Sequence, residues 1–185
     1  MKPLSEPIAR RADAEDKVKG RFWEGRFKCQ LLISEKSILA AMTYVDLNPV
    51  RADIAKGVST SSYTSVKMRH DEICKREACA LQNLAPLAGV RSFNVPPMTQ
   101  AEYIALVDYT GRELHQGKRG VIKADEPKAL RRLGLDKDHW TTKVKGVGSS
   151  YWRVVGSLEE LIEKAKELKQ RTLFGIGFAR LLKNI

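Results

Sequence analysis

The chain has 185 residues, 43% of them hydrophobic, and its 33 lysines and arginines outnumber 22 aspartates and glutamates, for a formal charge of +11. That length allows a real hydrophobic core, and the positive surplus suits a polyanionic partner through counterion release on phosphate contact. The three cysteines lack Cys-x-x-Cys spacing, no apolar run reaches the length of a membrane span, and Met1 to Arg11 has no apolar signal core; a disulfide frame, a zinc site and a membrane partner are therefore excluded, leaving a cytoplasmic protein with reduced thiols as the expectation.

Residues 1–20 are polar and charged, with the end of a helix expected over Ile8–Val18. From Arg21 to Ile33, apolar and polar residues alternate around Phe22, Trp23, Phe27, Leu31 and Ile33, which predicts a strand entered through Gly25. Ser34 or Ser37 then caps a helix running to Leu47, with Glu35 in its first turn and Ile38, Met42 and Val45 as the core-facing stripe. Asn48-Pro49 ends that helix and starts a short one through Val50, Arg51 and Ile54 to Gly57. After a polar loop, Ser62 or Thr64 is expected to cap a helix over about residues 65–78, with Lys67, Arg69, Lys75 and Arg76 as its solvated face.

Residues 82–98, with three prolines, read as a linker between a first unit (1–81) and a second (99–185). Thr99 and Glu102 form a capping box for a helix through Tyr103, Leu106, Val107 and Tyr109 that Gly111 stops. Gly117 to Gly120 is a basic turn, and two short helices follow over Pro127–Leu133 and Lys137–Lys143, with Gly134 and Asp136 as stop and cap. A second capping box, Ser157 with Glu160, opens a long helix with Leu158, Leu161, Ile162, Ala165 and Leu168 on one side; the glycines of the apolar and basic tail 172–185 are expected to break it. The whole reads as α+β, with a mainly helical C-terminal unit.

Tyr44 and Asn48 lie four residues apart on the first of these helices and should share a face, beside the small Ala40. On residue type alone, the tyrosine is explained by packing and the asparagine by capping. The stretches Gly20-Arg-Phe-Trp-Glu-Gly-Arg-Phe-Lys28 and Tyr44-Val-Asp-Leu-Asn-Pro-Val-Arg-Ala52 together resemble the signature of the single-tyrosine HUH transposases of small bacterial insertion sequences, a group that includes the REP-associated tyrosine transposases. Tyr103 to Arg112, Lys118 to Gly120 and Leu133 to Trp140 resemble the C-terminal extension of the longer members, so the likeness covers nearly the whole chain.

The resemblance implies a remnant of the HUH catalytic sheet packed beside the tyrosine helix. It also implies cleavage and rejoining of single-stranded or hairpin DNA, in which Tyr44 attacks a phosphodiester to give a 5′-phosphotyrosine link. In the family, two histidines of a His-hydrophobic-His strand hold Mg²⁺ or Mn²⁺, with Asn48 here as the implied third ligand; a phenol is a weak nucleophile that such a metal assists by polarising the phosphate. Arg21, Trp23, Arg26, Lys28 and Arg51 are the implied DNA contacts, as phosphate clamps beside a base-stacking ring. A homodimer is among the implied assemblies. The histidines here, His70, His115 and His139, are never one residue apart. The chain is thus expected to correspond to the C-terminal part of a transposase, without the first strands of the sheet, and not to cut DNA alone. A non-catalytic DNA-binding remnant and a purely structural domain are the alternatives.

Overall fold

The computed structural model describes residues 2–25, 29–84, 98–114, 127–132, 134–147 and 154–183. In chain order these form α1 (Lys2–Glu15), β1 (Leu31–Leu32), α2 (Glu35–Asp46), α3 (Asn48–Arg51), α4 (Ser65–Lys75), α5 (Gln100–Leu114), α6 (Lys128–Arg132), α7 (Lys137–Gly146), β2 (Val154–Val155), α8 (Leu158–Glu167) and α9 (Ile176–Lys183), with 3₁₀ turns at Val58–Thr60 and Glu77–Leu81. The protein is thus α+β, mainly helical, with β1 and β2 paired in parallel. No helix among the described residues is long and apolar enough to cross a membrane.

Local chemistry sets most helix starts. Ser34 accepts from the Ser37 N–H to open α2, and Thr64 accepts from the Lys67 N–H to open α4. The boxes at Thr99/Glu102 and Ser157/Glu160 both close reciprocally, and Asp136 accepts from two backbone N–H groups of α7. Gly134, at φ 60°, makes the left-handed turn between α6 and α7.

Other expectations are corrected. Residues 21–25 are exposed and mostly bends, and among the described residues of this stretch the strand is found at Leu31–Leu32, because alternation alone supplies no pairing partner. On α2 the core face is Leu39, Ala40, Thr43 and Asp46, whereas Val45 is exposed; two apolar stripes overlap on this helix, and the neighbours α5 and α7 select one. Asp53, at φ 57°, turns the chain after α3, so Ile54 stands in solvent rather than in a helix. Helix α4 ends at Lys75, three residues early, and Arg69 on it is half-buried, with its guanidinium 5.9 Å from the Tyr103 ring. Gly111 does not stop α5. It lies inside the helix against Leu47, whose Cδ2 would be 3.0 Å from an added Cβ. The helix begun at Ser157 is only ten residues long, with Ile162 and Leu168 partly exposed, and Gly177 sits within α9, whose Ile176 and Ala179 pack beneath α8.

The main core runs from Leu39 to Val147 and draws on α2, α3, α4, α5, α6 and α7. It takes side chains from both sides of 82–98. Residues 85–97 of that segment lie outside the described residues, but its ends meet through the Asn83–Thr99 bridge. At the centre, Trp140 is fully buried and its indole N–H donates to Thr110 Oγ1 at 2.8 Å; Thr110 in turn donates to the Leu106 carbonyl. A smaller cluster of Val154, Leu161, Ala165, Leu173, Ile176 and Ala179 closes over Ile33 and Leu158.

Asp46, at the C-terminal end of α2 and 3% exposed, ties the main core together. Its carboxylate accepts from the Ser65 N–H at 3.1 Å, the Val66 N–H at 3.3 Å, the Ser65 hydroxyl at 2.8 Å and the Tyr103 hydroxyl at 2.6 Å. The anion therefore sits on the N-terminus of α4, where the helix dipole favours it, and holds α5 through the tyrosine. Burial, with the Asp46 charge and hydrogen bond beside it, pushes the Tyr103 phenol far above its ordinary pKa, so it remains the donor.

Urea unfolding of three variants tests these contacts. Asp46→Ala strands two N–H groups and two hydroxyls and should cost about 3–5 kcal/mol, against about 1–2 kcal/mol for Tyr103→Phe. Thr110→Val leaves the Trp140 N–H buried without an acceptor and should cost about 1–3 kcal/mol. A loss below about 0.5 kcal/mol in Asp46→Ala would remove that carboxylate from its structural role.

Candidate nucleic-acid interface

The junction of α2 and α3 is close to a continuous helix. The Leu47 N–H bonds the Thr43 carbonyl at 3.0 Å, the Arg51 N–H bonds that of Leu47 at 2.9 Å, and Leu47 itself is in the right-handed helical region. Pro49 fits because it occupies the first turn of α3, where its missing N–H is not required. Tyr44, Asn48 and Arg51 consequently fall on one face at intervals of four and three residues.

Tyr44 is half-buried, with its inner edge against the main core. Arg51, exposed in the last turn of α3, lays its guanidinium 4.4 Å from the Tyr44 ring centroid, within cation–π range. Asn48 is exposed beside them. The arrangement presents a positive charge, an amide and a phenol at the surface. That combination can pair with a phosphate and stack or hydrogen-bond a neighbouring base.

Of the implied contacts of the upstream motif, Trp23 and Arg21 are among the described residues. Trp23 is 44% exposed, meets Phe22 edge-to-face at 4.7 Å and donates from its indole N–H to the Ser5 carbonyl of α1 at 3.0 Å. Arg21 is exposed in the same segment. Arg26 and Lys28 lie outside the described residues, as does the basic turn at 117–120. The structure thus brings Tyr44, Asn48 and Arg51 together and hangs Trp23 on α1.

As a metal ligand, Asn48 offers one neutral amide oxygen. The described residues contain no group of three or more His, Cys, Asp or Glu able to hold a metal, with His70 on α4 and His139 on α7. These residues do not fit the implied Mg²⁺ or Mn²⁺ site. On α4, His70 Nδ1 lies 3.9 Å from Cys74 Sγ and 3.5 Å from Asp71 Oδ1, so the carboxylate and the thiol compete for one nitrogen instead of flanking the ring. Asp71 itself is held below the usual carboxylate range, chiefly by its hydrogen bond from Lys67.

Sequence reasoning missed Asp46, which lies inside the tyrosine motif. The signal was present, since an aspartate in the last turn of a helix opposes the dipole and calls for an outside partner. No family model, curated protein or solved structure matches the chain.

Replacing Arg51 by alanine removes the cation from the tyrosine face. It should lower stability by about 0.5–1 kcal/mol in urea unfolding. Unchanged stability would show that the stacked pair contributes nothing in solution.

Proposed function

We propose that this chain is the tyrosine-helix portion of a single-tyrosine DNA transposase and engages single-stranded or hairpin DNA through the face of α2 and α3. The reading rests on the two sequence motifs and on one observation, the Arg51 guanidinium stacked on Tyr44 with Asn48 on the same face. In the strand-transfer step, the Tyr44 phenol oxygen would attack a backbone phosphorus and lose its proton. The bond to the 3′-oxygen would break, and that oxygen would leave as a hydroxyl after taking up a proton. The product is a 5′-phosphotyrosine ester that conserves the bond for rejoining. Arg51 would offset phosphate charge at the attacked position, and Trp23 would offer a stacking surface on the α1 side. On this reading Leu31–Leu32 belongs to what remains of the catalytic sheet.

A second reading, DNA binding without cleavage, is favoured by the histidines: none of the three is spaced for a His-hydrophobic-His strand, and Asn48 alone makes no metal centre. One experiment separates the two. The chain is incubated with Mn²⁺ and a labelled single-stranded hairpin, and a denaturant-resistant adduct is sought beside Tyr44→Phe. An adduct abolished by Tyr44→Phe establishes strand transfer; salt-sensitive binding without an adduct leaves the binding reading. Arg51→Ala should then reduce the slope of log affinity against log salt by about one phosphate contact. Absence of any DNA binding at low salt would sink both.

A further inference from the structure

A second site lies away from the tyrosine face, where the two strands end. Because β1 and β2 run parallel, with Leu31 opposite Val154 and Leu32 opposite Val155, both chains leave the sheet at the same end. Each passes straight into a capped helix, β1 into α2 through Ser34 and β2 into α8 through Ser157. Two helix N-termini are thereby brought side by side at the carboxyl ends of a parallel pair, a place where anions bind in open α/β sheets. The turn between β2 and α8 is held tightly against β1, since a Cβ on Gly156 would lie 2.7 Å from Ile33 side-chain atoms.

A cleft of about 400 Å³ opens at this point, lined by Lys36, Asp136, His139, Lys143, Gly156, Ser157 and Glu159 among others. Its volume is in the range of small-ligand sites, roughly 300–1,000 Å³. Lys143, in the last turn of α7, is only 8% exposed, and it has no hydrogen-bond or ion-pair partner among the described residues. Its aliphatic stem is enclosed, but its Nζ is not sealed from solvent and so opens onto the cleft. Burial holds the Lys143 ammonium below the ordinary lysine range, with Lys36 adding to the effect and Glu160 opposing it. Carboxylates share the cleft with these lysines, since Asp136 and Glu159 line it and Glu160 favours the Lys143 charge. Asp136 is bonded by the Asp138 and His139 N–H groups and by the His139 ring, and Glu160 accepts from the Ser157 N–H; Glu159 is exposed.

We propose that this cleft binds a terminal phosphate group, held by Lys143 and Lys36 against the first turn of α8. The chemistry is that of a phosphomonoester, which a small mononucleotide or the 5′-phosphorylated end of a DNA strand would both present. The binding is independent of Tyr44 and of the function proposed above.

The test uses the full chain in thermal-shift and calorimetric titrations with inorganic phosphate, adenosine 5′-monophosphate, and one oligonucleotide with and without a 5′-phosphate. Phosphate and at least one phosphomonoester should raise Tm, and Lys143→Met should weaken binding by about tenfold or more while leaving the fold as stable as before or more so. Lys36→Met should weaken binding comparably, and carries the test if Lys143→Met does not fold. Tyr44→Phe should bind as the parent does. A response to the mononucleotide alone assigns a small-molecule site, and one confined to the phosphorylated oligonucleotide assigns a DNA end. Absence of any response in the parent chain, or an undiminished response in the lysine variants, overturns the proposal.

Discussion

Everything in the larger core depends on placing a charged carboxylate where water cannot reach it. An isolated ion there would be prohibitive, and the fold meets the requirement with four donors from two other helices and the positive end of α4. The requirement is geometric as well as energetic. Ser65 and Val66 must begin a helix at that point, and Tyr103 must reach in from α5, so the positions of three helices are fixed relative to one another by one side chain. Trp140 and Thr110 perform a similar task about two turns further along α5, satisfying a buried N–H.

This lock bears on the candidate DNA interface because Asp46 lies two residues beyond Tyr44 on the same helix. The inner face of that helix is anchored to α4 and α5, and the half-buried Tyr44 ring lies beneath Arg51. A site carried on an anchored helix is held more precisely than one on a loop, as the chemistry proposed for Tyr44 requires. The phosphate cleft is built by different means, from strand ends, helix starts and a lysine left without a partner.

The sequence was most legible where a local hydrogen bond decides the outcome. Ser34, Thr64, Asp136 and both capping boxes act within four residues of themselves, and each opens a helix where its spacing says it should. It was least legible where a distant partner decides. Which stripe of α2 faces inward depends on α5 and α7, Gly111 stays helical because Leu47 packs on it, and the two-residue strand depends on Val154 and Val155. Of the candidate site, the common face of Tyr44, Asn48 and Arg51 was readable from helical spacing, though the stacking of Arg51 on the ring was not. Trp23 was misplaced because its alternating pattern fits a strand equally well, and only its bond to Ser5 shows where it goes. Lys143 gave no warning at all, since a lysine late in a short helix is ordinarily solvated.

The parallel pairing of Leu31–Leu32 with Val154–Val155 also has a temporal side. Its partners are more than a hundred residues apart in sequence, so closing the ladder carries a large loop entropy that short-range helix contacts never meet. During synthesis, the first strand must wait unpaired until most of the chain has been made. The lysine cleft, which is formed where those strands end, is therefore among the last parts of the molecule to exist.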